Sequence, residues 1–239
     1  MDIVGMGKIL EGVAQHILDY ALVLAAVGVL AMALLELLKG LLRLRRYYHR
    51  GRVRHWMGAE SAYSSLLALT VGAQADADAL FYQPLSKMMG QIQAAATVAL
   101  EFPSSYPEFF GFITALPGQP VASDDVQKWK LYAARAEAGN LNKDDAADQQ
   151  LIRDGTQARA RLDHLVARKL DAFQSASEYR WALLNQMVSV VIGTLILWYV
   201  MAQLGAPVAA YAVAVMGGLA APFAKDVVSA LSGLRATRT

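Results

Sequence analysis

The stretch Trp181–Ala224, WALLNQMVSVVIGTLILWYVMAQLGAPVAAYAVAVMGGLAAPFA, contains no charged residue. Its 44 residues are too many for one membrane-crossing helix, which needs about 20 apolar residues, and suit two. The break falls at Gln203-Leu204-Gly205-Ala206-Pro207, since Gly and Pro punctuate helices. Two spans are therefore expected, over 181–202 and 207–224. The latter is short, at about 27 Å for 1.5 Å per residue, so its helix is expected to continue past Lys225. A third apolar block, ILDYALVLAAVGVLAMALLELL, occupies 17–38, with Asp19 and Glu36 near its ends where they reach headgroups.

The positions of Lys and Arg orient these spans. Lys39, Arg43, Arg45, Arg46, Arg50, Arg52 and Arg54 follow the first, and only Lys8 precedes it. Arg168, Lys169 and Arg180 precede the second, while Lys225, Arg235 and Arg238 follow the third. Every basic cluster falls on one side if the chain crosses three times, and that side is cytoplasmic. Trp56, Tyr179, Trp181, Trp198 and Tyr199 lie near the boundaries, as an aromatic belt requires. The first block is too long for a signal peptide, and its positive charge follows it. The fold expected is an all-α integral membrane protein with three transmembrane helices, N-terminus out and C-terminus in. A helical cytoplasmic domain sits between spans one and two. The localisation that follows is a bacterial-type inner membrane, multi-pass.

Residues 1–16 form an outer-face segment. Ile3, Met6, Leu10, Val13 and Ile17 recur at three- and four-residue steps, an amphipathic pattern weakened by Gly5, Gly7 and Gly12. Residues 39–180 hold a basic linker and the helical domain, and 225–239 form a cytoplasmic tail. Within the domain, Pro84 breaks a helical run from Gly58 to Glu101. Phe102–Ala122, FPSSYPEFFGFITALPGQPVA, reads as an irregular loop. Exposed, it would be an apolar docking surface for a partner or the membrane. Buried, which the cost of leaving its aromatics in water favours, it is anchored on the core or against a neighbouring subunit. Ser123 caps the next helix, which ends near Gly139. Asn142, Asp144 and Asp145 open another, and it runs without proline into the second span. Gly155 is its weakest position. Arg159 pairs with Asp163, and Arg168 with Asp171, on its wet side.

Composition bounds the chemistry. Hydrophobic residues make up 56% and charged residues 18%, below the roughly 25% of soluble domains. With no cysteine there is no disulfide, thiolate metal site or cysteine nucleophile. A net charge of +2 gives no reason to expect nucleic acid as a partner. His16, His49, His55 and His164 have no partner at metal-ligand spacing, and His49 and His55 read as headgroup neighbours. Asp76 and Asp78 read as a solvated face. No Walker motif, nucleophile elbow or HExxH sequence is present. No cofactor, metal or enzymatic activity is expected.

Three sets of residues remain as candidates. Arg43, Arg45, Arg46, Arg50, Arg52 and Arg54, interleaved with aromatics, suit anionic lipid headgroups at the cytoplasmic face. Ala210, Ala214 and Gly218, with Gly217 and Ala221 alongside, repeat small residues every four positions, as helix-packing faces do in membranes. Asn185, Ser189 and Gly193 form a polar stripe at the same step, flanked by Thr194, and are candidates to line a pore. Together these sets describe a homo-oligomeric inner-membrane channel with a pathway between subunits. The alternative is a membrane scaffold or stator-like subunit whose cytoplasmic helices bind a protein partner.

In layout alone, one span, a cytoplasmic domain and a two-span hairpin resemble the proton-driven stator proteins. A long helix feeding such a hairpin resembles the mitochondrial calcium uniporter. The glycine-rich, proline-bearing span motifs of the former are missing here. The acidic signature of the latter is missing too, since Gln203–Pro207 holds no carboxylate. No family is assigned on this basis.

Overall fold

A computed structural model describes residues 26–72, 74–115, 123–142 and 144–203. The outer-face segment, the start of the first span, and the third span with its small-residue faces lie outside the described residues. Among those described, every regular element is helical. The chain divides into two compact units, Met1–Leu42 with Arg180–Thr239, and Arg43–Tyr179. We number the helices α1 (26–41), α2 (Leu44–Met57), α3 (Glu60–Thr70), α4 (Ala77–Phe81), α5 (Leu85–Glu101), α6 (Pro107–Thr114), α7 (Asp124–Glu137) and α8 (Ala146–Gln203).

Local chemistry sets many of the boundaries. Arg43, at φ 50°, takes the left-handed conformation between α1 and α2, which few residues other than glycine adopt. Pro84, with no N–H to donate, stands at the N-cap of α5 and separates it from α4. The Ser123 hydroxyl accepts from the Val126 amide at 3.4 Å and caps α7. Gly139, at φ 68°, carries the chain out of that helix. Asp145 accepts from the Ala147 amide at 3.0 Å, at the start of α8. From there α8 continues to Gln203 without interruption at Gly155.

The unit Arg43–Tyr179 is built around α3, α5 and α6, which pack on one another, with α2 against α3 and α4. Its core holds Leu66, Leu67, Phe81, Ile92, Leu100, Phe109, Phe110 and Ile113, all fully buried. The Pro- and Phe-rich segment departs here from the irregular loop expected. Pro107–Thr114 is a helix, with proline in its first turn, where the missing N–H has no intrahelical partner to lose. Phe109, Phe110 and Ile113 then fall on one face, and that face enters the core.

The first part of α8 closes this unit. Leu162, Val166, Leu170 and Phe173 join the core at helical spacing. Arg161 forks onto Asp125 of α7, with nitrogen–oxygen distances of 2.7–3.1 Å. Buried Asp148 takes the Arg135 guanidinium at 2.6 Å and the Asn142 amide at 2.9 Å. It latches the loop between α7 and α8. Gly155 is required for contact: a Cβ there would lie 2.6 Å from the Cβ and Cγ of Tyr132. Close approach of Tyr132 on α7, rather than helix propensity, sets the place of this glycine. The Arg159–Asp163 pair forms at 3.0 Å, whereas Arg168 and Asp171 do not pair.

In the other unit, α1 pairs with the end of α8. An 18-residue window in Ala146–Val200 has mean hydropathy 1.8 and is long and apolar enough to cross a membrane. Only 17% of that window is buried, whereas the core helix of a soluble protein is mostly buried.

Candidate functional site

Two contacts fix how α1 meets the end of α8. The Ser189 hydroxyl donates to Met32 Sδ at 3.3 Å. The Lys39 ammonium lies 5.8 Å from the centre of the Trp181 ring. Moving up α1 from Met32 to Lys39 thus moves down α8 from Ser189 to Trp181, so the helices run antiparallel. The same register brings Gly28 level with Gly193 and Leu35 level with Asn185. Gly28, Ala31 and Leu35 are the buried residues of α1, and Ser189, Gly193 and Leu197 those of this part of α8. Small residues let helix backbones approach closely.

The polar stripe is therefore placed as follows. Ser189 is fully buried and bonded to α1 of its own chain, Gly193 is buried, and Asn185 and Thr194 are half-buried. The outward faces carry Leu30, Leu37 and Leu41 on α1 and Met187, Val191, Leu195 and Trp198 on α8. The second small-residue set, Ala210, Ala214, Gly217, Gly218 and Ala221, lies outside the described residues.

The basic helix α2 divides its charges among several tasks. Arg43 and Arg45 are exposed. Arg46 pairs with Asp78, 32 residues away, so Asp78 is a salt-bridge partner and not merely part of a solvated face. Arg54 pairs with Glu60 at 2.9 Å. Arg50 and Arg52 are half-buried, and the Arg52 guanidinium lies 5.8 Å from the Phe173 ring centre. Two of the six arginines read as headgroup ligands thus have an intramolecular carboxylate.

His49 is a correction. It is a core residue, 3% exposed, with Nδ1 3.1 Å from the Phe81 carbonyl oxygen, and so does not stand among headgroups. Burial is the main cause that holds its pKa below the ordinary 6.5; the Arg45 charge lowers it further, and the Phe81 bond opposes both. The sign of the pH effect follows. Above about 6.5 the ring is neutral in both folded and unfolded chains. As pH falls below that value, the unfolded chain takes up a proton that the folded chain resists, so stability drops. Urea midpoints from pulse proteolysis of the full chain in mild detergent are expected to fall between pH 7.5 and 5.5. In His49→Gln the fall should be smaller; an equal fall would show that His49 does not carry it.

A groove missed by the sequence reading opens between α2, the end of α6 and α8. It has a volume of about 620 Å³ and is lined by Arg52, Trp56, Ala115, Leu165, Arg168, Lys169, Ala172, Phe173 and Ala176. Trp56 and Phe173 stack, with ring centres 4.2 Å apart, and Phe112 meets Trp56 edge-on at 4.8 Å. Lys169 donates to the Phe112 carbonyl, bonds Ala115 O at 3.4 Å, and lies over the Phe112 ring. It thereby satisfies carbonyls at the end of α6. Burial lowers its pKa from the ordinary lysine value. Among the described residues, no group of three or more His, Asp or Glu stands ready to hold a metal ion.

No family model matches the chain. Neither the curated proteins nor the solved structures include a match to it.

Proposed function

We propose that this chain is a three-span inner-membrane scaffold or stator-like subunit, N-terminus out and C-terminus in, whose cytoplasmic bundle binds a protein partner. The supporting observation is the Ser189 contact: the polar stripe of the second span is met by α1 of the same chain. Such a bond is interhelical glue, averaging about 0.6 kcal/mol in membranes. The exposed apolar faces of α1 and α8 support membrane insertion, because they suit lipid or neighbouring spans. The charge asymmetry read from the sequence supports the orientation. Arg43 and Arg45 supply the charge for anionic headgroups, while Arg46 and Arg54 serve the bundle.

The second reading is the homo-oligomeric channel. It draws on Asn185 and Thr194, half-buried at the flanks of the seam, where neighbouring copies would have to enclose a pathway. One substitution separates the two. Under the scaffold reading, Ser189→Leu forces a larger side chain against Met32 and loosens the α1–α8 pair, an overpacking cost of about 1–3 kcal/mol. The protein then loses thermal stability in detergent, and liposomes show no ion flux with either form. Flux in the parent that Ser189→Leu abolishes, with assembly intact, would instead establish the channel.

A further inference from the structure

We propose that the groove between α2, α6 and α8 holds one anionic phospholipid of the cytoplasmic leaflet. The inference rests on the membrane reading above and names a ligand within it. Three cations, Arg52, Arg168 and Lys169, stand around a floor of Trp56, Leu165 and Phe173. Among the described residues, none of the three lies within 4.0 Å of a carboxylate, whereas Arg46, Arg54, Arg135, Arg159 and Arg161 each do. Arg52 Nε is buried and has no hydrogen-bond partner. A buried guanidinium N–H without an acceptor is costly, and a phosphate oxygen satisfies it in the charge-assisted manner that Arg favours. Lys169 gives two of its three donors to Phe112 and Ala115, which leaves one for the same anion.

The apolar floor decides against a bare anion. An inorganic phosphate would leave the face of Trp56 and Phe173 uncovered, whereas an acyl chain covers it. The volume falls within the range of about 300–1,000 Å³ usual for ligand sites. The source is argued from chain position. Arg52 comes ten residues after Leu42, and Lys169 twelve before Trp181. Both walls belong to segments that connect the bundle to the proposed spans, Lys169 standing about 18 Å along α8 from Trp181 at 1.5 Å per residue, and membrane lipid is the anionic amphiphile nearest to them.

The test uses full-length protein in phosphatidylcholine vesicles containing a minor share of lipid with brominated acyl chains, which quench tryptophan on contact. Brominated phosphatidylcholine is expected to quench Trp198, in the second span, and so reports insertion. Brominated phosphatidylglycerol is expected to quench further, and that excess should vanish in Trp56→Phe. It should also require about five-fold more of the anionic lipid for each cation removed, in Arg168→Gln and again in Lys169→Gln. Arg168 is exposed and unpaired, so its loss leaves the fold intact; Lys87→Gln, at an exposed lysine away from the groove lining, should leave the excess unchanged. Inorganic phosphate in excess should not displace it. Equal quenching by the two lipids, an excess that survives Trp56→Phe or Arg168→Gln, or displacement by phosphate would each overturn the groove while insertion stood. Absence of quenching by brominated phosphatidylcholine would remove the membrane reading and this inference with it.

Discussion

Phe109→Ala is expected to lower the stability of the bundle by about 3–5 kcal/mol, the usual cost of truncating a buried aromatic. Phe109 is fully buried, and its ring stacks near Phe112 with centres 6.4 Å apart. It lies on the face of α6 that meets α3 and α5, so the cavity would open where three helices converge. A domain of ordinary stability has only about 5–15 kcal/mol in all, so a large part of the urea range should be lost. Pulse proteolysis of the full-length protein in mild detergent reads this directly. Phe102→Ala provides the comparison: Phe102 is 43% exposed and its loss should cost under about 0.5 kcal/mol. Similar midpoints for the two variants would show that α6 does not form part of the core.

Trp129→Ala should be comparably severe, at about 3–5 kcal/mol, and Trp129→Phe separates its two contributions. The indole N–H donates to the Leu100 carbonyl at 2.7 Å. Leu100 is the penultimate residue of α5, so that carbonyl has no intrahelical donor. Trp129 therefore caps α5 from α7 while filling the core beside Ala133 and Val126. Phenylalanine keeps most of the packing and leaves a buried acceptor unsatisfied, at about 1–3 kcal/mol. Arg159, 5.1 Å from the indole centre, loses part of a cation–π contact as well. If Trp129→Phe matched the parent in urea, the bond would be dispensable and packing alone would account for the residue.

Much of the helical architecture was legible because it depends on local chemistry. Pro84, Ser123 and the Asn142–Asp145 start each act within a few residues, and each stands where α5, α7 or α8 begins. The uninterrupted run of α8 from Ala146 to Gln203 follows from the absence of proline. The α6 helix was missed because adjacent aromatics and prolines have weak helix propensity. The available signal was Pro107 followed by Glu108, a favourable first turn. Tertiary pairings were not legible. Nothing local links Arg46 to Asp78 or Arg52 to Phe173, and a lone histidine in a basic run gives no sign that helix packing will bury it. The groove is of the same kind: its cations come from segments more than 100 residues apart in sequence, brought together only by the fold. For the stripe, helical spacing gave the shared face of Ser189 and Gly193, but only the structure gives Met32 as what Ser189 meets.

The proposed three-span arrangement, with the bundle in the cytoplasm, is tested most directly by single-cysteine labelling. The chain has no cysteine of its own, so each introduced thiol reports alone. Ala138→Cys places one on the exposed end of α7, beside Gly139, whose positive φ disfavours a side chain. Gln203→Cys places another at the exposed end of α8, in the turn expected between spans two and three. A membrane-impermeant maleimide applied to intact inner-membrane spheroplasts should label Gln203→Cys at once, and Ala138→Cys only after permeabilisation. Labelling of Ala138→Cys in the intact preparation, with Gln203→Cys protected, would contradict the orientation; equal labelling of both before permeabilisation would contradict the membrane crossing itself.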